Sequence, residues 1–347
     1  MIKLKTHTKK EKARKKARRK ALRDKGSHLK HLYRISLENI TPVNAPLALI
    51  SQIQRSGGSL LSQLFDGHPE IYAHPDELNI GYPKKYIWPK IDLNDSPQQW
   101  FEILFEENVI KHFEKGYKKG HKSEKSFPFI FLPTLQKKIF LKCIHSTESI
   151  TPRDIFDSYM TSYFGAWLNY QYNSSRKKVI AAFTPRLTIL RENVEAFFEI
   201  YPDGRIISLI RDPKNWFPSA LRHGSKKYRD LGSALNQWNE NALAMIKNKD
   251  KYNHDVIIIR FEDLIRNTEA VMRCVAEFLE ISFDDILLIP TFNKFPIKAN
   301  TSFKTPEHGI INGTLNRYKT LSPEELDTIS SMTNEPYKEV LSRAVRL

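Results

Sequence analysis

The sequence predicts an α/β protein with a central parallel sheet flanked by helices. Three observations carry this. Apolar runs of strand length recur at Leu47–Ile53, Val179–Phe183, Arg205–Ile210 and Val256–Phe261. Helical patterns separate them, so the strands need crossovers and lie parallel, covered on both faces. The first run passes through a glycine turn, Gln54-Arg55-Ser56-Gly57-Gly58-Ser59, into apolar positions at helical spacing, Leu60, Leu61, Leu64 and Phe65. Ligands of such sheets lie beyond the carboxyl ends of the strands. Arg55, Arg211 and Glu262 all follow strand ends.

Taken in order, residues 1–40 read as a basic N-terminal extension and 41–347 as one domain with a helical insertion at about 90–178. The formal charge is +16, and the first 25 residues hold thirteen Lys or Arg against Glu11 and Asp24. The body is therefore only mildly basic. The tail reads as a solvated extension, or as a contact for nucleic acid, anionic lipid headgroups or an acidic glycan. Pro42 and Pro46 mark the boundary before the first strand.

Gly67 and Pro69 stop the first helix. Ile71–Lys90 reads as a proline-punctuated loop, and 97–118 as a helix with Trp100, Phe101, Leu104 and Phe105 inward. Phe127–Leu132 and Ile139–Ile144 read as short strands, and 151–172 as a helix led by a threonine cap and a proline. Leu187–Ile200, 214–223, 231–250 and 267–280 complete the helices.

Cys143 and Cys274 are far apart and form neither a metal pattern nor a disulfide framework, in keeping with a reducing compartment. No run reaches a membrane span, and the basic N-terminus lacks the apolar core of a secretory signal. These features suggest a soluble cytoplasmic protein, with any membrane contact peripheral and through residues 1–30.

The strand, glycine turn and helix can hold an oxyanion on free backbone N–H groups at the helix start. Gly57 and Gly58 allow close approach, Arg55 adds charge, and Ser56 and Ser59 add hydroxyls. A nucleoside-triphosphate loop needs a lysine after its second glycine. Here Ser59 follows Gly58.

Three segments resemble the sulfotransferases that use 3′-phosphoadenosine 5′-phosphosulfate (PAPS). Gln54 to Leu61, with Asp66-Gly-His-Pro69 behind it, is similar to the family's 5′-phosphosulfate loop. Ile210-Arg211-Asp212-Pro213 with Ser219 is similar to its 3′-phosphate motif, an Arg and a Ser eight residues apart. Arg260-Phe-Glu-Asp-Leu264, followed by a helix ending in Glu277-Phe-Leu279, resembles its late strand–helix element. The resemblance spans about 46–282 and implies a P-loop-like fold with PAPS as donor.

It implies contacts to the donor from Arg55, Ser56, Gly57, Gly58, Ser59, Leu60, Arg211 and Ser219, with Arg317 or Lys319 closing over the 3′-phosphate. Arg55 occupies the position that supports the bridge between phosphate and sulfate. The base that takes the acceptor's proton is Glu77 by first choice, then Asp76, then His74. His68 in the Asp-x-His-Pro turn reads as structural. The acceptor class implied is a hydroxyl on a carbohydrate or glycoconjugate, and no metal is called for.

This chain departs from the family's pattern in three places. Gly58 removes one hydroxyl and adds backbone freedom. Phe183 stands where a lysine is common, leaving any such role to Arg186. Gly309 to Lys319 has wider spacing than the late glycine–lysine segment of the cytosolic branch. Two other functions remain open on residues alone: a nucleotide kinase or NTPase with a degenerate phosphate loop, and a nucleic-acid or membrane-surface binder driven by the tail.

Overall fold

Leu47, Ala48, Leu49 and Ile50 are fully buried. They form β1 (Leu47–Ile50), the middle strand of a five-stranded sheet. The computed structural model describes residues 16, 26–81, 87–116, 127–170, 177–297, 309–310 and 312–347. The other strands are β2 (Ile71–Glu77), β3 (Val179–Phe183), β4 (Arg205–Ile210) and β5 (Val256–Arg260). Their spatial order is β2-β3-β1-β4-β5, and every neighbouring pair is parallel. Leu49 sits beside Ala182 on one side and Ile206 on the other.

Successive side chains of a strand point to opposite faces, and the core divides accordingly. Leu47, Leu49, Ile180, Ala182 and Ile206 join a cluster with α5 (Pro133–His145), α6 (Pro152–Ala166) and α7 (Arg191–Ile200). Ala48, Ile50, Ala181, Ile207 and Leu209 face α2 (Gly58–Phe65) and α11 (Thr268–Phe278). Ile210 and Ile258 meet a third group on α8 (Pro213–Arg222), α9 (Leu231–Tyr252) and α12 (Pro323–Ser342). Capping boxes fix three described helix starts, at Ser96, Thr151 and Ser322. Thr151 accepts from the Asp154 amide before α6, and Ser322 from the Glu325 amide before α12.

Several expectations need correction. Ile71–Lys90 is not all loop, because Ile71–Glu77 is β2. Pro75 is tolerated there because β2 is an edge strand whose register shifts between Ala73 and Glu77. The expected helix over 97–118 is two, α3 (Pro97–Leu104) and α4 (Asn108–Lys115), broken where Glu106 turns inward with no exposure. Ile139–Ile144 lies in the helix α5, since a short apolar run fits a buried helix as well as a strand. Phe127–Leu132 makes no strand; Phe131 forms one isolated antiparallel bridge to Trp167. Leu187–Ile200 is a short 3₁₀ turn followed by α7, and α10 (Phe261–Arg266) precedes α11.

The basic run of the tail lies outside the described residues, except Lys16 and the helix α1 over 26–38. No described helix is long and apolar enough to cross a membrane.

Candidate active site at the carboxyl edge of the sheet

The chain leaves β1 through Ser51 to Gln54, and neighbouring helices pin it there. The Ile53 amide donates to Asn241 Oδ1 at 2.8 Å, and Trp216 Nε1 donates to the Gln54 carbonyl at 2.8 Å. Tyr228 donates its hydroxyl to Gln54 Oε1. Arg55 and Gly57 then take left-handed backbone angles, φ 72° and 104°.

The two glycines serve different needs. A β-carbon on Gly57 would strike the Phe261 ring, and its φ also favours glycine. Gly58 opens α2 in ordinary helical conformation; a β-carbon there would strike the Gln52 amide and the Phe183 ring. Close packing, not backbone freedom, therefore accounts for Gly58. It also gives Phe183 a part in shaping the turn.

The Leu60 and Leu61 amides turn back on the Gly57 carbonyl at 2.9 and 3.1 Å. The Leu60 side chain packs into the core beneath α2. Leu60 is thus a core residue whose amide faces the helix. Ser56 is buried and its hydroxyl has no partner among the described residues, while Ser59 is half-buried at the helix start.

Arginines converge on this turn. Arg55 Nε donates to Ser219 Oγ at 3.4 Å. Arg211, 2 % exposed, donates from Nη1 to the Arg55 carbonyl and from Nη2 to the Thr314 carbonyl, each at 2.9 Å. Its guanidinium lies 4.5 Å from the centre of the Phe261 ring, and its Nε has no partner among the described residues. Arg317 is buried in a late 3₁₀ segment, Asn312–Thr320, held on α8 through the Tyr318 amide and Asn215 Oδ1 at 3.2 Å. Lys319, from the same segment, is exposed.

Crowding shows in the acidities. Burial, reinforced by Arg55, pushes Arg211 down to about 10 despite Glu262 and Asp212. Burial, then Arg211, Arg55 and Arg222, pushes Arg317 down to about 9. Burial lowers Arg55 as well. Like charges sharing a partly dehydrated place produce this pattern.

The edge strand supplies the opposite wall. Glu77 ends β2, half-buried, opposite Phe183 of β3. Asp76 Oδ2 lies 3.2 Å from His112 Nε2.

His74 is 1 % exposed, and both ring nitrogens are engaged. Nδ1 donates to the Asp76 carbonyl at 2.9 Å, and Nε2 faces the Glu106 carboxylate oxygens at 3.1 and 3.0 Å. Burial alone would lower its pKa, but Glu106 and the hydrogen bonds raise it. The ring is buried against a carboxylate, with both of its nitrogens engaged within the chain. Glu106, which the sequence reading passed over, also accepts from the Asn79 amide at 3.4 Å. The pair thereby braces the strand end that carries Glu77.

His68 accepts the Glu70 amide on Nδ1 at 3.1 Å and donates from Nε2 to the Ser282 carbonyl at 3.0 Å. Arg186, beyond β3, has φ 68° and donates its amide to the Gln52 carbonyl at 2.9 Å.

The turn, the Arg211–Ser219 pair and the late arginine thus meet at one edge of the sheet, and Glu77 ends β2 at that same edge. A family model described as "Sulfotransferase family" matches residues 46–285, over two-thirds of the chain. The chain belongs to the sulfotransferase family.

Solved structures share this sulfotransferase's fold at low identity. The sulfotransferase domain from the Synechococcus PCC 7002 olefin synthase is 18% identical, with a TM-score of 0.50 over 89% of this chain and 98% of that one. The sulfotransferase domain from the curacin biosynthetic pathway is 16% identical, with a TM-score of 0.50 over 85% of this chain and 99% of that one. A sulfotransferase from Alicyclobacillus acidocaldarius is 13% identical, with a TM-score of 0.45 over 86% and 94%. Among curated proteins none matches.

Proposed function

We propose that this sulfotransferase uses PAPS and transfers its sulfuryl group to an acceptor hydroxyl. One observation carries the reading. Arg55, Arg211 and Arg317 are crowded at the glycine turn with their pKa values pushed down, a place that an anion with several charges would relieve. The orphaned Ser56 hydroxyl and Arg211 Nε are further donors suited to such an anion.

PAPS would bring the sulfuryl group and the 5′-phosphate that leaves. The first-turn backbone of α2, with Ser56, Ser59 and Arg55, would hold the 5′ end. Arg211, Ser219 and Arg317 would hold the 3′-phosphate. Arg55 would stabilise charge developing at the leaving oxygen, as an oxyanion hole does. Glu77 faces this group from β2 and is the carboxylate assigned to the acceptor's proton. Lys319, being exposed, is a weaker donor contact than Arg317. The acceptor class we favour is a carbohydrate or glycoconjugate hydroxyl, supported by the carboxylate at the β2 end. A panel of simple glycans and small phenols decides it.

The test is thermal stabilisation by the product nucleotide, 3′-phosphoadenosine 5′-phosphate (PAP). At a hundredfold excess over Kd the expected gain is about 2.7 kcal/mol, on the order of 5 °C. ATP should give no comparable shift. No shift with PAP overturns the donor assignment, and a shift that survives Arg211→Ala overturns the role given to Arg211. Glu77→Ala keeps the shift and loses turnover.

A further inference from the structure

We propose that the side-chain amide of Gln52 donates to the 5′-phosphate of the bound nucleotide, completing the glycine turn where Gly58 brings no side chain. The proposal rests on the PAPS reading above and adds a residue to its anion site.

Gln52 is the second residue past β1, and its backbone is held from several sides. Its carbonyl accepts the Arg186 amide at 2.9 Å. The Ser51 amide before it donates to the Ile207 carbonyl at 3.0 Å, and the Ile53 amide after it donates to Asn241 Oδ1 at 2.8 Å. The residue is 1 % exposed, yet neither Nε2 nor Oε1 of its side chain has a partner among the described residues. A buried amide left unpaired has lost its water without regaining a hydrogen bond, which is costly. Such a group calls for a reason.

Its place supplies one. A β-carbon on Gly58 would strike Gln52 Nε2 and the Phe183 ring. The donor end of the amide therefore lies where a side chain of the first α2 residue would begin. The amides of a helix start have no partners within the helix and suit an anion placed before them. Ser56, two residues before Gly58, is also 1 % exposed, and its hydroxyl has no partner among the described residues. Two dehydrated side-chain donors thus accompany one helix start, and both lack the acceptor that a phosphate would bring.

The type of side chain fits the electrostatics of the turn. Arg55, Arg211 and Arg317 already crowd there with their acidities raised. A lysine at position 52 would add another like charge to them. A primary amide offers directed N–H groups and adds no net charge. The 5′-phosphate is common to PAPS and PAP, so the contact persists from donor to product. No bond forms or breaks at Gln52; its part is to bind and orient the end of the nucleotide that carries the sulfuryl group.

Calorimetric titrations of the full chain test this with PAP and with adenosine 3′-monophosphate, which lacks the 5′-phosphate. Gln52→Met keeps the length of the side chain and removes both polar atoms. It is expected to weaken PAP binding roughly tenfold or more, and adenosine 3′-monophosphate binding by less than about twofold. Equal losses on the two ligands, or no loss on either, overturn the proposal.

Thermal melts without nucleotide give a second reading. Gln52→Met should melt no lower than the native sequence, because the substitution removes an unpaired buried amide. A lower melting point shows that the amide is satisfied within the empty protein, and it too overturns the proposal. Absence of any response to PAP in the native sequence overturns the donor reading and this contact with it. A native response with equal losses in Gln52→Met overturns the Gln52 contact alone.

Discussion

Two groups of arginines, one at each end of the sheet, are treated in opposite ways. At the amino end, Arg153 meets Asp157 at 2.9 Å and Asp203 at 2.7 Å, and Arg205 meets Asp255 at 2.9 Å and Glu280 at 3.4 Å. Lys178 meets Glu70 at 2.6 Å. Burial would lower the Arg153 pKa, yet Asp203 and Asp157 raise it. At the carboxyl end, Arg55, Arg211 and Arg317 lie close together and are all pushed down. Charges matched within the chain hold the fold and ask for nothing more. Crowded like charges raise the free energy of the empty protein, and an anion lowers it again. The same residue type thus marks structure at one edge and a binding site at the other.

The His74–Glu106 pair tests that division most severely, because it is a matched pair at the carboxyl end. Neither side chain has any exposure. Removing one partner of a buried pair strands the other, so His74→Phe should cost about 3–5 kcal/mol. Urea melts at pH 7 measure this. His74→Phe with Glu106→Leu should recover most of the loss, since no charge is left behind. The sign with pH follows from the raised His74 pKa. The pair's contribution is full below the ordinary histidine range and is lost as pH rises through the folded-state value. A loss below 1 kcal/mol would remove the pair from the structural class.

Glu106 also shows where the sequence stops being legible. The buried strands declared themselves as apolar runs, and the glycine turn and Arg211–Ser219 spacing declared the anion site. Side-chain pairings between distant segments carry no such pattern. Glu106 sits in a Phe-Glu-Glu run that reads as the outer face of a helix. Its inward turn becomes visible only when β2 brings His74 opposite.

β2 itself was hidden because Pro75 and the polar His74, Asp76 and Glu77 read as loop. An edge strand tolerates them. Gly58 read as added freedom, yet its reason is the Gln52 amide and the Phe183 ring packed against it.

The amino end makes the next test. There two carboxylates, Asp157 and Asp203, share the Arg153 guanidinium. Burial raises Asp157 to about 6, with Asp203 and Asp154 adding to the rise and Arg153 opposing it. The unfolded value is about 3.9. The protonated carboxyl therefore stabilises the fold below about pH 4, and that contribution is lost as pH rises through about 6. The span corresponds to up to about 3 kcal/mol. Urea midpoints between pH 4 and 7 should show the slope in the native sequence and a flatter one in Asp157→Asn. At this end the remaining cost is that of burying a carboxylate, which a proton relieves; at the other end it is crowded positive charge, which an anion relieves.

Paired substitutions to methionine give the smallest effect and the sharpest contrast. Arg153 is about a quarter exposed on its side chain, 23 %. Its loss should therefore cost less than that of a fully buried pair, about 2 kcal/mol. Arg317→Met removes one of several like charges and keeps a long apolar stem in place. It should change the stability of the nucleotide-free protein by no more than about 0.5 kcal/mol. With PAP present the order reverses. Arg153→Met should keep its full nucleotide-induced shift, while Arg317→Met should weaken PAP binding roughly tenfold, about 1.4 kcal/mol. If both variants lose stability equally and both keep the nucleotide shift, the carboxyl-edge arginines are structural like those at the other end, and the comparison fails where it matters most.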